Sequence, residues 1–504
     1  MPDAGRPEAS DTTAHGRDEG FVRALGLFPA TTVNMSQMVG IGPFITIPLM
    51  ISAMGGPQAL LGWVLGAVLA MADGLVWAEL GAAMPAAGGS YVYLREAYQY
   101  STGRLVPFLF VWSTLLAVPL IMSTGMIGMA DYLGYFHHMN GWQTKAVAVV
   151  LTVVTVALLY RRIESVANVI RFLWFGMILT VALVIIATLT HFDPSIAFDF
   201  PKHAFSFSLG FFSGLGAGLL IAIYDYLGYY TAAYLGDEVE NPGYVMPRAI
   251  IFSILGVCAI YLVMNIGIMG VIPWRKAIDS TNIGTDAVVA VWGHVGGVII
   301  TVLIVTTAFA SVYAGLLGAS RLPYNAARDH LFFSPFGRLH PRLRFPHVSL
   351  LVMGVVTAIA SLFSLQSILN ALIAVSIIVQ FIGGIGALVI LRRKQPELRR
   401  PYHQWLYPVP CIIALVGWVY IFISSGWSAI ELALVWMVLG GVAYLIWARY
   451  EKVWPFGPKE IREAFLEEQE DSATAGVSKP SLTPLATDFL AQTTAVERVN
   501  AAYR

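Results

Sequence analysis

Residues 24–72 contain no Asp, Glu, Lys or Arg, and this apolar run is interrupted at Gly40-Ile41-Gly42-Pro43. At 49 residues the run is longer than the roughly 20 that one membrane-spanning helix needs. Gly55-Gly56-Pro57 is a natural turn that divides it in two, which leaves the Gly-x-Gly-Pro inside the first span. Backbone opened inside hydrocarbon must be satisfied by protein, water or a bound solute. The interruption therefore constrains the fold more than the apolarity does. It predicts a discontinuous helix that offers main-chain N–H groups at mid-membrane depth.

The rest of the chain suits that environment. Of 504 residues 57% are apolar and 12% charged, with mean hydropathy +0.70, where a soluble domain carries roughly 25% charged residues. Long uncharged runs indicate helices, because barrel strands would be about 10 residues of alternating character. The net charge of zero gives no electrostatic argument for a nucleic-acid partner. Cys258 and Cys411 fall in apolar spans and read as membrane-buried thiols, not a disulfide framework. The polar N-terminus lacks an apolar h-region, so no cleaved signal peptide is expected.

Charged residues mark the ends of the spans. The second long run, 345–391, divides near Gln366; the others are 105–130, 146–160, 166–191, 211–236, 249–272, 293–320, 405–425 and 428–448. The expected total is twelve spans in a domain covering residues 24–450. Lys and Arg favour cytoplasmic loops. With the N-terminus inside, the inner loops carry fifteen of them: Arg95, Arg104, Arg161, Arg162, Arg248, Arg321, Arg328, Arg338, Arg342, Arg344, Arg392, Arg393, Lys394, Arg399 and Arg400. The outer loops carry four, Lys145, Lys202, Arg275 and Lys276. A multi-pass protein of the cell membrane (inner or plasma), with cytoplasmic tails at 1–23 and 451–504, is therefore expected. The C-terminal tail holds one amphipathic stretch near 458–468, read as a surface helix followed by disorder.

A second interruption lies in the span 211–236, where Tyr224-Asp225-Tyr226-Leu227-Gly228 puts a carboxylate and a glycine in an apolar helix. By count this is helix 6, and the first break is in helix 1. Helices 1 and 6 open two halves of five helices each, and an odd number per half makes the halves run in opposite directions. Paired breaks in corresponding helices are the sequence signature of an inverted-repeat binding site, as in secondary transporters.

Several ordered motifs carry a family resemblance. They are Gly40-Ile41-Gly42-Pro43-Phe44; Ala78-Glu79-Leu80-Gly81 through Pro85 with Gly88-Gly89-Ser90-Tyr91; and Gly236-Asp237-Glu238-Val239-Glu240-Asn241-Pro242 with Pro247-Arg248-Ala249. Gly318-Ala319-Ser320-Arg321 with Ala326-Ala327-Arg328-Asp329 follows, and then Leu391-Arg392-Arg393 with Arg400-Pro401-Tyr402. Together they resemble the amino acid–polyamine–organocation (APC) superfamily of permeases, over about residues 20–450. The Gly-Pro-Phe form of the first break is most similar to the branch with polyamine uptake permeases and their bacterial relatives. The resemblance implies an all-α polytopic membrane protein with the LeuT-type fold. That fold has a 5+5 inverted repeat plus two helices, broken helices 1 and 6, and alternating access.

The candidate site follows from the breaks. Gly40, Ile41, Gly42 and Phe44 would present free amides, with Pro43 at the first helical position, where its missing N–H costs nothing. A helix N-terminus attracts a carboxylate; the competing reading is a Gly-Pro kink that only aids packing. Asp225 is an ionisable group at mid-span, costing about 2.5–3.5 kcal/mol on insertion scales, so it reads as functional, binding an ammonium or carrying a proton. A hydrogen-bonded structural aspartate is the alternative. The resemblance implies that Tyr224 is the aromatic beside the substrate and that Leu227 and Gly228 are the opened backbone. It implies that Tyr91 lies near a cytoplasmic gate, with Tyr93 on the same segment, where an interfacial aromatic belt is the competing reading. Asp73, deeper on helix 2, is a second coupling candidate. Glu79, near the cytoplasmic end of that helix, is expected to pair with an arginine or backbone. Asp131 reads as interfacial. Thr31, Asn34 and Gln37 form a polar stripe that lines a path or joins helices. Thr306, Thr307 and Ser311 could give hydroxyls to a sodium-like site next to helix 1, where ordinary packing hydroxyls are the competing reading. Some relatives place a lysine in helix 5 where Trp174 stands here, which leaves the ion open.

No metal-ligand spacing such as H-E-x-x-H occurs among the ten histidines, and no metal or cofactor is expected. Gly210–Gly218 lacks the G-K-[ST] of a nucleotide loop. No nucleophile–base pair points to an enzyme. The expected function is secondary active transport of an amino acid, proton-coupled or by exchange. A polyamine or cationic amine carrier is the alternative, and a transporter-like sensor ranks lower. The expected partners are the amino acid or amine substrate, a proton as the coupling ion, and the bilayer.

Overall fold

The computed structural model describes residues 25–85, 88–160, 166–342 and 345–451. The tails 1–23 and 452–504, with the amphipathic stretch at 458–468, lie outside the described residues. Helices dominate; among the described residues no strand occurs beyond one bridge between Leu25 and Val239.

The first apolar run forms α1 (Leu27–Met38), α2 (Gly42–Met54) and α3 (Ala59–Ala83). α1 and α2 meet at a 53° bend. The chain leaves α2 through Gly55 and Gly56, whose φ of 77° and 147° suits glycine, and Gly55 N–H closes the helix on the carbonyl of Ile51 at 2.8 Å. The turn expected at Gly55-Gly56-Pro57 is therefore present. Next come α4 (Ser90–Thr102), α5 (Leu105–Leu133), α6 (Gly141–Leu159), α7 (Val166–Thr190) and the short α8 (Pro194–Ala197). α6 begins before the sequence-placed residue 146 because Asn140 and Gln143 form a reciprocal capping box there.

The second break separates α9 (Leu209–Tyr226) from α10 (Thr231–Tyr234), and α11 (Pro242–Met269) and α12 (Trp274–Ala277) follow. α13 (Ile283–Ala319) is kinked at Gly293, φ 71°, so the predicted start at 293 marks its second segment. α14 is Arg321–Arg328, and α15 (His347–Ala360) and α16 (Leu365–Ser376) divide the second long run as expected. α16 passes through a π turn at Ile377–Ile382 into α17 (Gly383–Lys394); α18 (Val409–Ser424) and α19 (Trp427–Tyr450) end the described chain.

Among the described residues eight helices are long and apolar enough to cross a membrane, or nine with α1 and α2 taken as one bent span. Three shorter apolar helices, Phe175–Thr190, His347–Ala360 and Val409–Ser424, coincide with the other sequence-placed spans. Apolar side chains such as Val150, Ile299 and Val435 are exposed on the outside, as they must be against lipid. Trp63, Trp77, Trp418 and Tyr261 are buried inside.

The packing carries the repeat. α1 lies on α11, and α9 lies on α3; α5 lies on α16, and α13 lies on α7. In span numbers these are pairs 1–7 and 6–2, then 3–10 and 8–5. Each pair becomes its counterpart when five is added to one member and subtracted from the other. Two five-helix halves related in this way bring the broken spans together, and α2 packs directly on α9.

Candidate functional site

At the first break the chain stops following α1 after Val39, whose N–H still reaches Met35 O at 2.8 Å, and resumes with Phe44 N–H on Ile41 O at 3.0 Å. The amides of Gly40, Ile41 and Gly42 find no acceptor among the described residues, and α2 has no side-chain cap. These are the orphan donors of a helix start. At the second break, Leu227 turns extended (φ −58°, ψ 132°) and Gly228 takes φ 114°. Leu227 N–H closes on Tyr224 O, and no donor among the described residues reaches the carbonyls of Ile223 and Tyr226. One broken helix thus presents donors and the other presents acceptors.

Asp225 lies between them, 1% exposed. Its Oδ2 accepts from Thr46 Oγ1, one turn into α2, at 2.5 Å, while Oδ1 has no partner. An ideal Cβ on Gly42 would lie 2.1 Å from that Oδ1, so only glycine admits the carboxylate here. Tyr224 is nearly buried, and its hydroxyl pairs with Thr124 Oγ1 of α5 at 2.6 Å. Gly228 packs against α1: a Cβ there would lie 2.6 Å from Gln37 Cβ. Gly40 adjoins Ser311 of α13, a Cβ there falling 2.9 Å from the hydroxyl.

Two tyrosines absent from the sequence reading hold this arrangement. Tyr261 of α11, fully buried, shares its hydroxyl proton between Met38 O at 2.6 Å and Asp225 O at 3.0 Å. It ties the end of α1 to the end of α9. Tyr132 of α5 donates to Phe44 O at 2.9 Å and accepts from Gly284 N–H at 3.1 Å. A lone tyrosine in an apolar span carries no sequence signal that would have singled it out. Thr46 was equally silent, since hydroxyls are ordinary packing residues in membrane helices.

The other sequence candidates separate into groups. Ile41 faces Gly128 of α5, and the Phe44 ring lies beside Gly284 of α13, so both side chains point into packing around the break. Asp73 is fully buried and accepts three donors: Trp77 Nε1 at 2.8 Å and Tyr229 O–H at 2.5 Å on Oδ2, and Trp418 Nε1 at 3.1 Å on Oδ1. It joins α3, α18 and the segment just past Gly228. Glu79 takes Arg392 in a bidentate pair (2.8 and 2.5 Å) and Gln404 N–H at 2.8 Å, with Arg400 at 3.6 Å, matching its expected structural role. Asn34 Oδ1 accepts Ala232 N–H of α10 at 2.7 Å and so serves as a helix tie, Thr31 bonds back to Leu27 O, and Gln37 is exposed. Thr307 pairs with Thr180 of α7 at 3.2 Å and Thr306 bonds back to Val302 O, while Ser311 is the hydroxyl that lies beside Gly40 at the first break. The Trp174 side chain lies outside the described residues.

Tyr91 of α4 donates to Asp329 Oδ2 at 3.2 Å, with the Arg95 guanidinium 5.8 Å from its ring. The contact links α4 to the connector after α14. Burial pushes the Asp329 carboxyl above its usual range, against the pull of Arg95. No cluster of three or more His, Cys, Asp or Glu side chains able to hold a metal occurs among the described residues.

The sequence model of a family described as amino acid permeases matches residues 25–449, which spans both breaks and every helix around them. The chain belongs to this family, within the APC superfamily. Its members are transporters and not enzymes. The permease is 28% identical over 414 residues to the serine/threonine exchanger SteT of Bacillus subtilis, covering 80% of this chain and 91% of that protein. It is 24% identical over 457 residues to the branched-chain amino acid permease BcaP of the same organism (86% and 94% covered). It is 23% identical over 465 residues to that organism's methylthioribose transporter (87% and 96% covered). The similarity thus runs along nearly the whole helical domain.

Proposed function

We propose that this permease is a secondary active transporter of amino acids. In this reading it works by alternating access, with twelve spans and both termini in the cytoplasm. The observation that carries the reading is the free Oδ1 of Asp225 beside the unmet amides of Gly40–Gly42, where α2 begins, and the unmet carbonyls where α9 ends. A zwitterion answers all three. Its carboxylate takes the amides of Gly40–Gly42, which the dipole of α2 favours. Its ammonium takes the carbonyls of the α9 end and Asp225 Oδ1. Tyr224 bounds the substrate, and Leu227 with Gly228 supplies the opened turn. The names of the serine/threonine and branched-chain relatives support an amino acid as substrate.

Asp225 is also the residue proposed to couple transport to protons. With a single donor, its buried charge is under-compensated until an ammonium or a proton arrives. Asp73, whose two oxygens are already met by three donors, is proposed as a brace and not the coupling group. The Tyr91–Asp329 contact is proposed as a cytoplasmic latch that parts when the site opens inward.

A second reading is transport of a cationic amine without a carboxylate, and Asp225 itself favours it. Uptake into proteoliposomes separates the two. Labelled serine, leucine, arginine, agmatine and putrescine are offered with and without an inward proton gradient. Accumulation of an amino acid that its methyl ester competes poorly against supports the zwitterion reading. Uptake of amines only, with amino acids neither carried nor competing, replaces it by the second. Amino acid uptake that a proton gradient leaves unchanged removes the coupling assignment and leaves exchange or facilitated transport.

A further inference from the structure

A cavity of about 940 Å³ lies away from the breaks, between the end of α3, the start of α11 and the 399–405 connector. Arg248, Arg399, Tyr244, Phe252, Tyr402 and Trp405 line it, and none of its lining residues is acidic. Arg399 is exposed and has no ion pair or hydrogen bond with any described residue. Among the described residues Arg248 hydrogen-bonds only Tyr244 O on its own helix, at 3.2 Å, and stacks over that ring at 3.7 Å. The neighbouring Arg392 and Arg400 are committed to Glu79, so these two arginines are the ones left to meet an anion at this place. The Tyr402 hydroxyl is buried without a partner. The walls are fixed to each other, because a Cβ on Gly243 would lie 2.3 Å from Pro401 Cβ.

The apolar side of the cavity identifies the class of anion. Tyr244, Arg248, Phe252 and Leu255 follow the i, i+4, i+8, i+11 spacing of one helix face. Phe252 and Leu255 are 50% and 56% exposed among the described residues. The stripe runs from arginine at the helix start to bare hydrocarbon two turns further along. Trp405, 63% exposed, stands at the rim as aromatic side chains do at the headgroup level. A soluble phosphate would use the arginines and ignore the stripe; a lipid uses both. Guanidinium suits phosphate oxygens because its planar fork gives paired hydrogen bonds.

We infer that this cavity binds an anionic phospholipid, its phosphate between Arg248 and Arg399 and an acyl chain along Phe252 and Leu255. The site is separate from the substrate site and independent of what is transported. The test uses the full chain, purified and stripped of lipid, in native mass spectrometry and thermal unfolding with phosphatidylglycerol, phosphatidylcholine or inorganic phosphate. The expected result is preferential retention of phosphatidylglycerol, with about fivefold weaker binding for each arginine neutralised in R248Q or R399Q. Leu255→Gln should weaken the lipid while leaving any phosphate effect unchanged. Equal retention of both lipids, stabilisation by inorganic phosphate alone, or full retention in the folded R248Q/R399Q double variant would overturn the proposal.

Discussion

Gly42→Ala is the sharpest probe of the space between the two broken helices. The new Cβ would fall 2.1 Å from Asp225 Oδ1 and 3.2 Å from its Cγ, where ordinary contact begins at 3.4 Å. The carboxylate must withdraw by an ångström or more. It cannot do so freely, since Oδ2 is held by Thr46 at 2.5 Å and the Asp225 carbonyl by Tyr261 at 3.0 Å. Either the Thr46 bond breaks or α2 separates from α9. Overpacking of this kind costs roughly 1–3 kcal/mol, and losing a hydrogen bond to a charged group roughly 1.5–3 kcal/mol, so a destabilisation of about 2–4 kcal/mol is expected. The measurement is equilibrium unfolding in mixed dodecyl sulfate micelles, paired with substrate uptake in proteoliposomes. Removing the obstacle supplies the control: Gly42→Ala/Asp225→Ala should recover at least about 1 kcal/mol relative to Gly42→Ala, a non-additivity expected only of residues in contact. It should recover no uptake, because the anion is gone. A Gly42→Ala protein as stable and active as the parent would refute the geometry. Strictly additive losses in the cycle would refute the contact.

Three further outcomes follow from the same contacts. Asp225→Asn keeps the volume and should abolish proton-stimulated uptake with little change in unfolding, whereas Asp73→Asn, at a carboxylate saturated by Trp77, Tyr229 and Trp418, should lower stability and leave proton stimulation in place; the reverse pattern would exchange the two assignments. Tyr261→Phe leaves the carbonyls of Met38 and Asp225 without their shared donor, and unfolding measurements should show a loss of about 1–3 kcal/mol together with a raised KM for uptake. Glu79→Gln leaves Arg392 and Arg400 facing each other without their anion, and a loss of about 2–4 kcal/mol is expected in the same unfolding assay, with transport surviving at low temperature.

Both breaks were visible in the chain itself, because glycine, proline and a carboxylate inside apolar runs violate what a continuous membrane helix requires. Turns were visible for the same reason: Gly55 and Gly56 adopt the positive φ that their residue type suggests. What stayed hidden was the wiring between spans. Tyr261 and Tyr132 reach main-chain carbonyls far away in sequence, and nothing in their neighbours distinguishes them from ordinary apolar-face tyrosines. The hydroxyls on α13 divide in a way that their spacing does not announce: Thr306 satisfies itself on its own helix, a local option that threonine always has, while Ser311 abuts Gly40 at the first break. Start positions shifted where caps and kinks decide them, at Asn140 for α6 and Gly293 for α13.

The position of Asp225 also bears on how recognition and coupling could share one residue. Its two oxygens are unlike: Oδ2 is committed to Thr46 on α2, and Oδ1 faces the break unpaired. A charge left in that state in a buried site is costly, and two arrivals relieve it, a substrate ammonium or a proton. Either one changes the attraction between α9, which carries the carboxylate, and α2, which carries Thr46 and begins at the free amides. These are the first spans of the two five-helix halves. Occupancy at one oxygen therefore acts on the joint about which the halves must move. Tyr261 makes the joint discrete by holding Met38 and Asp225 through a single proton, so that the ends of α1 and α9 move together or lose that bond. On the proposed reading, an empty, deprotonated site is the state least able to rearrange. A carrier whose empty site cannot rearrange exchanges one cargo for the other, whereas uptake driven by an inward proton gradient needs both cargoes bound before the site moves and the empty site free to return.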